Sequence, residues 1–169
     1  MRTALVLLTA LALAACSNPQ LSGAGLDGTT PGAAGIGPGG AGSIDDPSSP
    51  AFFAGRVGDR VLFAVDQSTL SDAARDTLRA QAAWLAANPQ FDATVEGHAD
   101  EQGTREYNLA LGARRAAAAQ EFLVSQGVAP GRVRTVTYGK ERPIEICSTE
   151  SCYTQNRRAV TVLATGAGV

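Results

Sequence analysis

The residues able to do chemistry gather between Val95 and Ala116, where Val-Glu-Gly-His-Ala-Asp-Glu-Gln-Gly-Thr runs into Arg-Glu-Tyr-Asn-Leu-Ala-Leu-Gly-Ala-Arg-Arg-Ala. The pattern predicts a strand end, then a turn of acidic and small residues carrying Asp100 and Glu101. A helix presenting Arg114 and Arg115 follows. Carboxylates at the mouth of a turn and guanidinium groups on the next helix suit a small ligand that bears both an ammonium and a carboxylate, because a planar guanidinium matches a carboxylate in a bidentate way. A catalytic reading of the same stretch makes Asp100 and Glu101 an acid/base pair. His98 is the only histidine, and as a base it would need a nucleophile or a metal within reach. The sequence offers no nucleophile-elbow serine, no free catalytic thiol and no second metal-ligand histidine. A structural histidine, hydrogen-bonded in the turn, is the expectation.

The chain has three cysteines. Cys147 and Cys152 share one long predicted connection and, in a secreted context, read as a disulfide, worth about 2 kcal/mol for so short a ring. A metal site would need four ligands, which one histidine and this cysteine pair do not supply, so no metal or cofactor is expected. The third, Cys16, ends the run Leu13-Ala14-Ala15-Cys16 behind Arg2 and the apolar stretch Ala4–Ala14. A basic start and a short apolar run make residues 1–15 a secretory signal rather than a resident membrane helix. Its ending resembles a lipobox, the bacterial lipoprotein processing signal, in which Cys16 is lipidated and becomes the new N-terminus. Each buried CH₂ adds about 0.8 kcal/mol, and more than one acyl chain makes the anchoring lasting. Ser17, where an inner-membrane retention signal often has Asp, points to the outer membrane.

Residues 16–50 are Gly, Ala, Pro and Ser with almost no bulky side chain. Too little apolar surface is available to offset the entropy of ordering, so a flexible tether is expected, with a reach of about 30–35 Å. Residues 51–165 form the predicted domain and 166–169 a tail. Strands are predicted over Arg60–Val65, Phe91–Gly97, Arg132–Tyr138 and Ala159–Ala164. Ser71 caps a helix from Asp72 to about Asn88, with Ala74, Leu78, Ala82 and Leu85 on its inner face. Thr104 or Gly103 opens a second helix to about Gln126, with Tyr107, Leu111, Ala118 and Phe122 as its apolar row and Gly127 as its C-cap. Gly139–Arg158 is a long loop, and Arg157 and Arg158 read as surface charges at a strand start. The fold class is α+β: a β-α-β-α-β-β sandwich with helices packed on one face of a mixed four-stranded sheet.

The formal charge is −2, and the pI of about 5.4 carries no nucleic-acid footprint. Asp27, Asp45 and Asp46 precede residue 51 against Arg2 alone, so the domain itself is balanced. A balanced domain favours a defined site over bulk electrostatic attraction.

Several segments together are similar to one family. They are Arg60–Asp66 (Arg-Val-Leu-Phe-Ala-Val-Asp), Val95–Thr104, Glu106–Ala116, Thr137–Pro143 (Thr-Tyr-Gly-Lys-Glu-Arg-Pro) and Gln155–Val160 (Gln-Asn-Arg-Arg-Ala-Val). They resemble the peptidoglycan-associated lipoproteins of the OmpA-like superfamily, over nearly all of residues 52–165, and the lipobox and tether agree. The resemblance implies a non-enzymatic protein that binds peptidoglycan through the meso-diaminopimelate of its peptide stem. It implies attachment to the outer membrane and partnership with TolB and other components of the Tol–Pal system. By position, Asp100 is implied to meet the ligand ammonium and Arg115 its carboxylate. Asp66 faces the same ligand, Leu111 supplies an apolar wall and Asn108 shapes the site. Gln102 stands where the family often has Arg, and the cysteine loop replaces a commoner Gly- and His-bearing version. An enzyme acting on the same polymer and a purely protein-binding scaffold are the alternatives.

Overall fold

The computed structural model describes residues 42–165. The signal segment, Cys16, most of the tether and the tail 166–169 lie outside the described residues. No helix among the described residues is long and apolar enough to cross a membrane.

Residues just before the predicted domain start at 51 already take part in the fold. Ser49 caps the short helix α1 (Pro50–Phe52), its Oγ accepting from Phe52 N–H at 3.0 Å, and Pro50 supplies the fixed φ that a first helical position favours. A π-helical turn over Phe53–Gly58 follows. Trp84 Nε1 donates to Pro47 O at 2.7 Å, and the Trp84 ring packs between Phe53 and Phe91 at centroid distances of 4.9 and 5.4 Å. The end of the Pro- and Ser-bearing stretch is thus tied to the core by an indole that finds both an apolar cage and a carbonyl.

Strands β1 (Arg60–Leu62), β2 (Phe91–His98), β3 (Val133–Gly139) and β4 (Arg158–Thr165) form one sheet in the order β1-β4-β2-β3. β2 and β3 are parallel, and β4 runs antiparallel to both β1 and β2. Each helical crossover therefore links strands of the same direction, and β4 fills the gap that the first crossover leaves between β1 and β2. The expected α+β class, mixed sheet and helices on one face are what the chain adopts. The strand after Arg60 is shorter than its β-branched run suggests, because pairing with β4 stops at Leu62.

Helix α2 (Asp72–Ala87) starts at Ser71, whose Oγ accepts from Ala74 N–H, and buries Ala74, Leu78, Ala82 and Leu85 as its spacing predicts. Helix α3 (Arg105–Ser125) starts at Thr104, whose Oγ1 accepts from Tyr107 N–H, and ends at Gly127 with φ +99°. Its inner face differs from the predicted row. Asn108, Leu111, Gly112, Arg115, Ala116, Ala119 and Leu123 are buried, whereas Tyr107 is exposed and Ala118 and Phe122 are half-buried. The apolar row is displaced because two polar side chains, Asn108 and Arg115, occupy the inward stripe. Helix and sheet meet closely at Gly97 and Gly112. A Cβ on Gly97 would overlap the Gly112 carbonyl oxygen, and one on Gly112 would lie 2.5 Å from Thr137 Oγ1. Only glycine lets the backbones approach so far.

The predicted long loop from Gly139 to Arg158 contains a seven-residue helix, α4 (Glu150–Asn156). Its sequence has no apolar periodicity to announce it. It is held instead by the Cys147–Cys152 disulfide and by the buried Asn156 side chain, which accepts from Ile144 and Glu145 N–H and donates to Glu145 O.

Candidate functional site

Two loops at the C-terminal ends of β1 and β2 carry the carboxylates. Beyond β1 the chain reaches Asp66, the one described non-glycine residue with positive φ, at +57°. Aspartate tolerates this left-handed geometry better than most residues because its short polar side chain can bond locally. Tyr107 Oη donates to Asp66 Oδ1, joining the loop to the first turn of α3. Beyond β2, Asp100 accepts from Gln102 N–H at 3.2 Å on Oδ1. The loop Glu101–Gly103 is then clamped by Asn108 Nδ2 on Gln102 O at 2.8 Å and Lys140 Nζ on Gly103 O at 2.7 Å. Gly103 takes φ +91°, which turns the chain into the Thr104 cap.

Between these loops lies a cleft of about 450 Å³ lined by Asp66, Asp100, Gln102, Asn108, Leu111 and neighbouring residues. Four of the five residues expected to contact the ligand therefore share one wall. Asn108 is almost wholly buried, so it shapes the cleft through the Gln102 carbonyl. Tyr107, expected in the core, is 44 % exposed and lines the cleft instead. Gln102, the departure from the common family pattern, is also on the wall.

Arg115, which the resemblance implies meets the ligand carboxylate, is buried in this structure. It is 0 % exposed and does not line the cleft. Its guanidinium donates to Gln67 O at 2.8 Å, His98 O at 2.9 Å and Ala64 O at 3.2 Å. Three of its five N–H donors are thus engaged by carbonyls of the two acidic loops. Burial pushes its pKa down to about 10, partly opposed by Asp100 and Asp66 and reinforced by Arg157. At neutral pH it remains a cation beneath the cleft floor.

Arg157 is the functional candidate that sequence reasoning underrated. It and Arg158 are not surface charges: they are 3 % and 4 % exposed. Arg157 Nη1 donates to Asp100 Oδ2 at 3.1 Å, Nη2 to Glu150 Oε1 at 2.5 Å and to Thr154 Oγ1 at 3.0 Å, and Nε to Phe63 O at 3.2 Å. Arg115 and Arg157 together fasten the Phe63–Gln67 loop to the His98–Gln102 loop. The signal for Arg157 was its place in Gln155–Val160, one of the segments that carry the family resemblance.

His98 also departs from expectation. It is 1 % exposed, yet neither ring nitrogen has a hydrogen-bond partner among the described residues. Glu96 Oε2 lies 3.7 Å from its Nε2, and its ring lies 5.5 Å from that of Tyr138. Burial, aided by Arg158 and Arg142, lowers its pKa to about 4. Among the described residues no cluster of three or more His, Cys, Asp or Glu side chains could hold a metal.

Comparison with known proteins gives a consistent result. Residues 62–157 match the OmpA family. The chain is 53 % identical over 161 residues to the peptidoglycan-associated lipoprotein of Agrobacterium fabrum, covering 95 % of this chain and 85 % of that protein. It is 56 % identical over 122 residues to the peptidoglycan-associated lipoprotein of Brucella melitensis, covering 72 % of each. The crystal structure of the peptidoglycan-associated lipoprotein from Burkholderia pseudomallei is similar with a TM-score of 0.64 and 36 % identity, over 72 % of this chain and 98 % of that one. The C-terminal domain of Helicobacter pylori MotB is similar in fold, with a TM-score of 0.60 at 20 % identity, over 64 % of this chain and 86 % of that one.

Proposed function

This chain belongs to the OmpA family and, within it, to the peptidoglycan-associated lipoproteins, and from that premise we propose that its cleft binds the meso-diaminopimelate of the peptidoglycan stem. The observation that carries this reading is the convergence of Asp66 and Asp100 on one cleft with Leu111 as its apolar wall. The free end of diaminopimelate carries an ammonium and a carboxylate. The two aspartates receive the ammonium. The buried Arg115 guanidinium supplies the positive field for the carboxylate, and direct contact with its two remaining N–H donors requires the residues that cover it to move aside. Charge-assisted hydrogen bonds contribute roughly 1.5–3 kcal/mol each, less where water competes. A few of them support modest affinity per domain, which many copies on one polymer multiply.

The protein holds peptidoglycan without cleaving it. An acid/base pair would need two carboxylates free to exchange protons at one centre, whereas Glu101 is not among the cleft-lining residues and Asp100 is paired with Arg157. Lipidation at Cys16 attaches the chain to the outer membrane, and the domain works with TolB in the Tol–Pal system at cell division. Co-sedimentation of the full protein with purified sacculi tests the reading. The wild type pellets, Asp100→Ala and Arg115→Ala pellet much less, and no soluble fragments appear. Released fragments, or pelleting unchanged by both substitutions, would refute it.

A further inference from the structure

Asp100 meets the cleft while one of its oxygens is already paired with a buried guanidinium. Had Arg157 no other anionic partner, the two would form a neutral internal pair, and Asp100 would have little attraction left for a cation from outside. Glu150 changes that balance. It meets the other terminal nitrogen of the same guanidinium, 2.5 Å from Nη2, and does not line the cleft. One Arg157 charge then serves two carboxylates, so Asp100, the one of the pair that faces the cleft, is less fully neutralised by Arg157 than it would be alone, with the buried Arg115 cation acting on it as well.

We propose that Glu150 is a positioning residue that acts through Arg157 to keep Asp100 a receptor for the ligand ammonium, an inference that rests on the diaminopimelate reading above. Arg157 itself is anchored by Phe63 O and Thr154 Oγ1, so it keeps the same place while its charge is shared. Glu150 is the first residue of α4, inside the ring closed by Cys147–Cys152, and that closure limits how far its carboxylate can swing from Arg157. The electrostatics agree in direction. Hydrogen bonding from Arg157 lowers the Glu150 pKa, and for Arg157 the downward pull of burial is outweighed by Glu150 first and Asp100 second. A segment whose sequence reads as a long loop thus supplies a charge that reaches the cleft through one intermediary.

The test is a charge series at an exposed position, measured by calorimetric titration of the full protein with a soluble stem tripeptide ending in meso-diaminopimelate. Glu150→Gln is expected to bind about two- to five-fold more weakly, a loss of the size an ion pair with one exposed partner supports. Glu150→Lys is expected to bind more weakly again. In an Asp100→Asn background, Glu150→Gln should produce no further loss, because the effect passes through that carboxylate. A purely structural role of Glu150 would not grade with charge or vanish in the Asp100→Asn background. Equal affinities across the series, or equal losses for Gln and Lys, would overturn the inference while leaving the binding reading intact. Absence of binding by the wild type would overturn both.

Discussion

Protonation of His98 should make this domain acid-sensitive, by an amount the structure permits one to work out. The ring is buried at the end of β2 beside Tyr138, with no hydrogen-bond partner on either nitrogen among the described residues. The charged groups around it are Glu96 at 3.7 Å and the guanidinium groups of Arg158 and Arg142. Burial acts first and the two arginines second, bringing the pKa from 6.5 to about 4. Because the folded value lies below the unfolded one, the unfolded chain takes up the proton first as pH falls. Stability is fully present above about pH 6.5 and declines down to about pH 4. A shift of this size corresponds to about 3 kcal/mol in total, of which about 2 is lost by pH 5. Urea unfolding of the wild type and of His98→Gln at several pH values between 8 and 4 measures it. Carboxylate titration affects both proteins, so the informative quantity is the difference between their stabilities. That difference should fall by about 2 kcal/mol between pH 8 and pH 5. A flat difference would refute the assignment of His98 as a buried neutral ring.

Three further outcomes are expected. Gly112→Ala places a methyl group 2.5 Å from Thr137 Oγ1 and against the Gly97 backbone. It should cost about 1–3 kcal/mol in denaturant unfolding and weaken sacculus binding, since α3 carries Asn108 and Leu111. Arg115→Lys cannot serve three carbonyls that lie in the directions of a planar fork, and should lose about 2 kcal/mol or more by thermal or urea unfolding. The double variant Cys147→Ser/Cys152→Ser should lose about 2 kcal/mol at most in the chain-entropy account, measured under non-reducing conditions against the wild type.

The fold was largely legible because its main signals are local. Ser71 and Thr104 announce helix starts through hydroxyls that accept from backbone N–H groups three residues on. The alternation Phe91, Ala93, Val95, Gly97 against Asp92, Thr94 and Glu96 is the pleat of β2. Helix α4 was not legible, since its seven residues are held by a disulfide and by Asn156 rather than by an apolar face. The facing of α3 was not legible either. Periodicity counts apolar residues inward, and here an arginine and an asparagine are the ones turned in, satisfied by backbone carbonyls from other loops.

The sequence alone therefore determined which residue types are present and where chain segments bend. It placed carboxylates at strand ends, capping hydroxyls at helix starts, and a cysteine pair at a spacing that can close a ring. Only the tertiary structure decided what each charge does. Whether Asp100 stands free or shared, whether Arg115 meets ligand or supports the floor beneath it, and whether Arg157 is solvated or buried depend on partners as far as 94 residues away along the chain. Electrostatic roles are set by distance and desolvation in space, and neither is encoded in the spacing of residues along the sequence.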